Sequence, residues 1–312
     1  MKAKLRHWLN PLAIYYYIRH VQIIKSQAVY FQSREFLFNI FKINYKSYQF
    51  FIEPGIHSAT PLDVVIPVIE KDLDILPHVI AGVRRYLKHP LGNIYIVAPN
   101  SEKIINEASK GGAVFVNEND VCAVSKQDIN FVVNGKDRSG WIYQQILKLN
   151  FDKIVAEENF LVIDADTVFV SNMCFEKRGR HYFDFSDEYH APYHEAYKIL
   201  TGYDRSMPVS FVSHYMLFNK QKLQQLKQHI EVNTGKPLLE AIKSIKERVL
   251  DYSSFSEYET YANFCIHKFP KQHTIRYWFN KSCRQGDIID IKILREKSKN
   301  LWKSLSFHSH SN

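Results

Sequence analysis

The sequence predicts an α/β fold, a mostly parallel sheet flanked by helices and preceded by a basic helical extension. Three observations carry this. From residue 63 onward, short apolar runs alternate with helix-patterned segments. Those runs are nearly continuous in Val, Ile and Leu, the pattern of strands buried on both faces. The chain of 312 residues, 46% hydrophobic and 23% charged, is long enough to bury a large core. The same composition excludes a disordered or low-complexity chain.

Residues 1–55 read as an extension. Leu5, Trp8, Leu9, Leu12 and Tyr16 recur at helical spacing, although Pro11 divides any helix there. The first 50 residues hold eight Lys or Arg against the single acid Glu35, so they supply +7 of the net +9. A basic amphipathic segment with Trp and Tyr suits an anionic membrane surface. The early apolar run Leu12–Ile18 is far short of the ~20 residues a spanning helix needs. Nucleic acid is not an expected partner, because the basic charge is not interleaved with a recognition motif. Cys122, Cys174, Cys265 and Cys283 form no CxxC pair. Without a secretion signal they read as buried free thiols in a reducing compartment. The expected location is therefore cytoplasmic, peripheral on the inner face of the cell membrane.

A turn at Glu53-Pro-Gly-Ile56 leads into the main domain. Asp63-Val-Val-Ile-Pro-Val-Ile69 is the first strand, and Asp74 is placed to cap a helix reaching Leu87, with Pro77 tolerated in its first turn. Strands follow at 93–98 and 113–116, separated by a helix over 101–109. A helix over 139–149 precedes the strand Phe160-Leu-Val-Ile163, and a later strand covers 209–218. Parallel sheets of this kind bind ligands outside the carboxyl ends of their strands.

Asp164-Ala-Asp166 stands at such an end. Extended residues two apart point to one side, so both carboxylates are expected to face one site. Like charges that close repel unless a cation lies beside them. Hard divalent ions take carboxylate oxygens together with diphosphate oxygens of a substrate. Two enzyme classes place Asp-x-Asp after an apolar strand. Phosphatases of the haloacid dehalogenase type match Asp164-Ala-Asp-Thr-Val168, but there the motif closes the first strand of the fold.

The order of motifs fits the other class. The opening strand, Gly140-Trp-Ile-Tyr-Gln-Gln-Ile-Leu-Lys148, Asp164-Ala-Asp166, Ser213-His-Tyr-Met-Leu-Phe218, Ser256-Glu-Tyr-Glu-Thr-Tyr261 and Phe307-His-Ser-His310 occur in sequence. Over residues 60–312 the chain resembles nucleotide-sugar glycosyltransferases of the GT-A fold, in particular a bacterial group associated with surface polysaccharide and lipopolysaccharide synthesis. The resemblance implies a nucleotide-sugar-binding half at 56–175 and an acceptor-binding half at 176–312 of one catalytic domain. Asp164 would contact the sugar nucleotide and the metal, and Asp166 would bind Mn²⁺ or Mg²⁺. His308 would complete the metal site, with His310 the weaker candidate. The partners implied are a nucleotide-sugar donor and a glycan or glycolipid acceptor.

On the 139–149 helix, Ile142, Ile146 and Leu149 form the apolar face, while Gln144, Gln145 and Lys148 point elsewhere. Trp141 and Gln144 are candidates to line the nucleotide site, and Lys148 to meet a phosphate as a point charge. Glu257 and Glu259 are candidates for the base or acceptor ligand. Ser254-x-x-Glu257 and Ser256-x-x-Glu259 each also match a capping box, which would leave a glutamate with only a helix start to satisfy. His214 resembles the strand residue that meets donor sugar or acceptor. The stretch Asp187–Glu195 is polar and aromatic, a candidate wall for a sugar acceptor. His190 and His194 lack the His-Glu-x-x-His order and are not read as a zinc pair. Beside the transferase stand two alternatives, the phosphatase and a non-catalytic basic binding module.

Overall fold

The computed structural model describes residues 57–308 apart from 123, 187–189, 207–208 and 299–301. The expected basic extension and His310 lie outside the described residues. β1 (Leu62–Pro67) has every residue buried, as the centre of a two-sided sheet requires. Asp63 tolerates that burial because its carboxylate accepts from the backbone N–H of Asn93 (2.7 Å), Ala156 (2.6 Å) and Glu157 (2.9 Å).

Helix α1 (Leu76–Tyr86) follows, then β2 (Leu91–Ala98), α2 (Glu102–Lys110) and β3 (Val114–Asn117). Asp74 does not cap α1; the helix starts from Ile75, with Pro77 in the first turn, where no N–H is needed. Two short helices, α3 (Glu118–Val121) and α4 (Lys126–Ile129), lead to a hairpin of β4 (Val132–Val133) and β5 (Lys136–Asp137). Asn134 and Gly135 turn it with φ of +51° and +74°, the left-handed pair that a tight hairpin demands. Then come α5 (Ser139–Lys148), β6 (Asn159–Ile163) and β7 (Thr167–Phe169).

β8 (Glu176–Lys177) and β9 (Arg180–Phe185) form a hairpin, followed by α6 (Ala191–Thr201). The strand expected over 209–218 is shorter and later: β10 spans Tyr215–Asn219. Upstream, Ser210 makes a single bridge to Ser186, and His214 takes a φ of +59°, which breaks the extended run. α7 (Lys220–Thr234) packs on β10, and α8 (Leu238–Lys243) and α9 (Glu257–Lys268) pack against α7. β11 (His273–Tyr277), β12 (Asn280–Arg284), α10 (Ile291–Ser298) and β13 (Ser304–His308) close the chain.

The main sheet has the order β10-β6-β1-β2-β3, with β10 antiparallel and the rest parallel. From β1 the chain steps outward to β2 and β3, then returns to lay β6 on the other side of β1. That reversal opens a crevice beyond the carboxyl ends of β1 and β6. A second sheet, β12-β13-β7, runs from the end of β6, and a third joins β11, β9 and β8. Both of the first two sheets take strands from either side of residue 175. All four cysteines are free and buried. Among the described residues no helix is long and apolar enough to cross a membrane.

Candidate functional site

Asp164 and Asp166 stand at that crevice, but not on an extended strand. The Thr167 N–H donates to the Asp164 carbonyl (3.0 Å), closing a turn at the end of β6. The two carboxylates therefore meet different neighbours, and a turn rather than an extended strand presents them.

Asp164 is enclosed. Its Oδ1 accepts from Lys148 Nζ (2.6 Å) and from the Tyr258 hydroxyl (3.1 Å), and its Oδ2 faces His214 Nδ1 at 3.4 Å. Its backbone N–H donates to the His214 carbonyl (2.9 Å), since Ile163 pairs with Tyr215 and brings the preceding residues opposite. Burial pushes this carboxyl's pKa up, but Lys148 and His214 outweigh it and hold the group well below the usual carboxylate range.

Lys148, the last residue of α5, is only 3% exposed, although the sequence pattern puts it on the helix's polar side. It bridges Asp164 and Glu257, the second at 2.8 Å. Burial alone would favour the neutral amine; the two carboxylates reverse that and keep it an ammonium. Glu257 is 1% exposed, and burial pushes its pKa up while Lys148 pulls it down. The Gln145 amide, oriented with its NH₂ toward Glu257, donates to both carboxylate oxygens. Gln145 is thus a glutamine that reaches this cluster, and Gln144 is half-buried.

Glu259 lies outside this cluster. Ser256 caps α9 by accepting from the Glu259 N–H, while the Glu259 carboxylate accepts from Phe211 N–H (2.9 Å) and Asn263 Nδ2 (3.1 Å). Half of the capping box exists, and the side chain anchors the 211 segment to α9. Ser254 forms no cap; its buried Oγ has no partner among the described residues.

Asp166 meets His308. β13 pairs antiparallel with β7, Ser306 opposite Thr167, and the Phe307 N–H donates to the Asp166 carbonyl (2.9 Å). His308 Nδ1 then lies 3.3 Å from Asp166 Oδ2, with both side chains about 30% exposed. The His214 and His308 rings are 5.1 Å apart, so the two Asp–His pairs adjoin. Donors on one octahedral ion at ~2.1 Å sit ~3 Å apart, so the Asp166–His308 spacing fits two ligands of a hard divalent ion. Among the described residues no three His, Cys, Asp or Glu side chains form a complete set. Such an ion takes its remaining positions from water and substrate oxygens.

Three residues missing from the sequence reading border the site. Tyr258 holds Asp164, and its only sequence signal is its place between the two glutamates. Trp278 packs 5.2 Å from His214, and its buried Nε1–H has no acceptor among the described residues. Asp72, beyond the end of β1, has its carboxyl pushed up chiefly by burial and, least, by the charges of Asp166 and Asp164. Trp141 is elsewhere: two turns before Lys148 on α5, it stacks on Tyr193 with ring centroids 6.4 Å apart. Tyr193 belongs to the stretch 187–195 expected as an acceptor wall, of which residues 190–195 are described.

An α/β sheet with paired carboxylates at its switch point defines a class of ligand-binding folds rather than one enzyme. By sequence, residues 61–310 match the model of a family described as a family of unknown function (DUF6492), and the chain belongs to that family. No curated protein matches it. Among solved structures it is similar to the galactosyltransferase LgtC in complex with donor and acceptor sugar analogues, at 13% identity over 80% of this chain and 88% of that one, with a TM-score of 0.44. Glucosyl-3-phosphoglycerate synthase from Mycobacterium tuberculosis, in complex with Mn²⁺, UDP and phosphoglyceric acid, is 14% identical over 64% of this chain and 72% of its own, with a TM-score of 0.37. The glycosyltransferase GlyE of Streptococcus pneumoniae is 11% identical over 80% of this chain and 55% of its own, also at 0.37. Likenesses this distant carry no argument about activity, which rests on the site.

Proposed function

We propose that the protein is a metal-dependent glycosyltransferase of the GT-A type that moves a sugar from a nucleoside-diphosphate donor to an acceptor hydroxyl. One observation carries the reading: a charge-fixed Asp164 and a half-open Asp166–His308 pair adjoin at the sheet's switch point, where a diphosphate can complete a metal's coordination. Asp166 and His308 would hold Mn²⁺ or Mg²⁺. When bound, the ion supplies Lewis-acid stabilisation of the departing diphosphate.

The chain's own residues do the rest. Lys148 and Tyr258 fix one oxygen of Asp164, leaving the partly exposed carboxylate oriented toward the crevice and its donor ribose or sugar. His214 and Trp278 wall the same space. The acceptor oxygen forms a bond to the anomeric carbon as the bond to the diphosphate breaks, the electron pair leaving with the nucleotide and the hydroxyl proton passing to the departing diphosphate. Glu257 and Glu259 do not reach the crevice surface, so we assign Glu257 to positioning Lys148 and Glu259 to anchoring α9, and neither to accepting the proton. Trp141 and Gln144 we place on the acceptor side rather than around the nucleotide. The acceptor would be a glycan or glycolipid of bacterial surface-polysaccharide synthesis, and residues 1–55 would bring the enzyme to an anionic membrane surface.

A phosphatase working through an acyl-phosphate on Asp164 fits less well. That motif should close the first strand, whereas Asp164 closes β6. The deciding experiment is thermal unfolding with UDP, GDP or CMP, each with Mn²⁺ or chelator. A ligand at 100 times its Kd stabilises by ~2.7 kcal/mol. A Mn²⁺-dependent shift with one nucleotide, absent in Asp166→Ala, supports the transferase. Phosphate release from an aryl phosphate without any nucleotide shift would favour the phosphatase, and silence in both assays the binding module.

A further inference from the structure

Beyond the donor crevice, a second cluster gathers at the amino-terminal end of α5. Trp141 and Tyr193 stack with planes 21° apart. The Arg138 guanidinium lies 4.8 Å from the Trp141 ring centre and 5.8 Å from that of Tyr252, and Lys136 Nζ sits 4.0 Å from the Tyr252 ring. Tyr252 itself is 44% exposed.

The cluster is built rather than incidental. The β4–β5 hairpin that carries Lys136 and leads into Arg138 is tied to the 250–253 loop by Asn134 Nδ2 donating to the Leu250 carbonyl (3.3 Å) and by Arg138 donating to Ser253 Oγ (3.4 Å). Two carboxylates of these segments already have partners, Asp251 through His190, whose ring packs 4.7 Å from that of Tyr193. Asp137 accepts from the Ser139 N–H at the start of α5 (2.8 Å), and Asp251 accepts from the Ser253 N–H (2.6 Å) and faces His190 Nε2 at 3.2 Å. No ion pair to Lys136 or Arg138 is formed among the described residues, and the buried Arg138 Nε–H has no acceptor there. Aromatic faces bind sugar rings, and a guanidinium outside any ion pair binds an anion.

Its position relates it to the reaction. Trp141 and Lys148 are seven residues apart on one helix, so they share a face about 10 Å apart. The 250–253 loop runs within a few residues of Glu257 and Tyr258, which hold the other end of the same face. From this geometry we infer that the cluster is an acceptor subsite for a saccharide bearing an anionic group, a carboxylate or a phosphate, set back from the hydroxyl that receives the sugar. The inference rests on the glycosyltransferase reading and names the charge class of its acceptor.

Titration calorimetry of the full chain with lactose, 3′-sialyllactose, digalacturonate and glucose 6-phosphate tests it, alongside nucleotide binding with Mn²⁺. The acidic probes bind roughly tenfold or more tighter than lactose, as one charge-assisted contact allows. That advantage disappears in Arg138→Gln and shrinks in Lys136→Gln. The better of the carboxylate and phosphate probes tells which anion the subsite prefers. Equal binding of lactose and the acidic probes overturns the inference, as does an Arg138→Gln variant that folds like wild type and keeps the preference. If Arg138→Gln does not fold, exposed Lys136→Gln decides by the same criterion. Failure to bind any nucleotide while the acidic preference persists overturns the transferase reading alone. Nucleotide binding without an acidic preference overturns the subsite alone.

Discussion

Asp164 and His214 hold each other twice: the aspartate's N–H donates to the histidine's carbonyl at 2.9 Å, and their side chains face each other at 3.4 Å. The first contact requires the backbone at 214 to turn, and His214 does so with a φ of +59°. A left-handed residue other than Gly costs roughly 1–2 kcal/mol, a strain that persists where the surroundings fix it. Here the strain aims an imidazole at the oxygen of Asp164 that Lys148 and Tyr258 leave uncovered.

Lys148 makes the interior charges possible. Lys148→Met leaves Glu257 buried beside no cation, which costs about 3–5 kcal/mol. Lys148→Met combined with Glu257→Gln recovers much of that loss, because the buried charge is gone. Urea unfolding of the two variants checks the difference, and equal stability of both would detach Glu257 from Lys148 energetically.

The Asp166–His308 pair predicts a graded metal dependence. Chelator abolishes the nucleotide-induced thermal shift of the wild type. His308→Ala retains a shift but needs more Mn²⁺, roughly ten- to a hundredfold, on the scale by which lost ligand support weakens metal sites. Asp166→Ala shows none at any concentration that leaves the fold intact. A Mn²⁺ titration in which His308→Ala matches wild type would remove the histidine from the metal.

Much of this was legible in the sequence, and for one physical reason. Parallel strands buried on both faces, such as β1 and β6, must be continuous apolar runs, so their places and their polar exits can be read directly. His308 came instead from the resemblance, with Leu305-Ser-Phe307 before it as a short alternating strand. What could not be read is where polar residues are buried by distant partners. Lys148 and Gln145 look solvated on α5 because Glu257, which covers them, lies more than a hundred residues on. The turn at Asp164 depends on one backbone hydrogen bond, from Thr167, that no alternation pattern reveals. The Asn134-Gly135 hairpin carried a usable turn signal, but its flanking strands are only two residues long.

Acid should destabilise the protein through a histidine pair remote from the crevice. His181 and His273 are register partners on β9 and β11, with rings edge-to-face at 5.8 Å. Burial, reinforced by the Lys222 charge, takes His181 down to about 3 and His273 down to about 4. Above pH ~6.5 both folded and unfolded chains carry neutral rings. Below it the unfolded chain binds protons that the folded one refuses, so stability falls as pH drops from ~6.5 toward the folded values. The loss is on the order of 2 kcal/mol per ring at pH 5. His181→Phe keeps the ring and removes its share, so its urea midpoint falls less than the wild type's between pH 7 and pH 5. Parallel losses in both would mean that His181 is not buried neutral.

Helix α1 approaches β7 so closely that Gly82 is the only side chain that fits. A Cβ there would lie 2.9 Å from the Phe169 carbonyl oxygen and 3.1 Å from its nitrogen. Both are backbone atoms of a strand paired on its other edge to β13, so neither can swing aside. In an exposed helix the change to alanine would stabilise by about 1 kcal/mol. Against that, forcing a methyl group into a filled contact costs about 1–3 kcal/mol. Gly82→Ala therefore lowers stability on balance, by roughly 1 kcal/mol. The displacement also travels. β7 begins one residue after Asp166, and its partner β13 carries His308, so shifting Phe169 moves the two proposed ligands relative to each other. Gly82→Ala should need more Mn²⁺ for the nucleotide-induced shift although residue 82 touches neither ligand. A variant more stable than wild type, with an unchanged Mn²⁺ requirement, would show that α1 yields and that its contact with β7 does not set the metal pair.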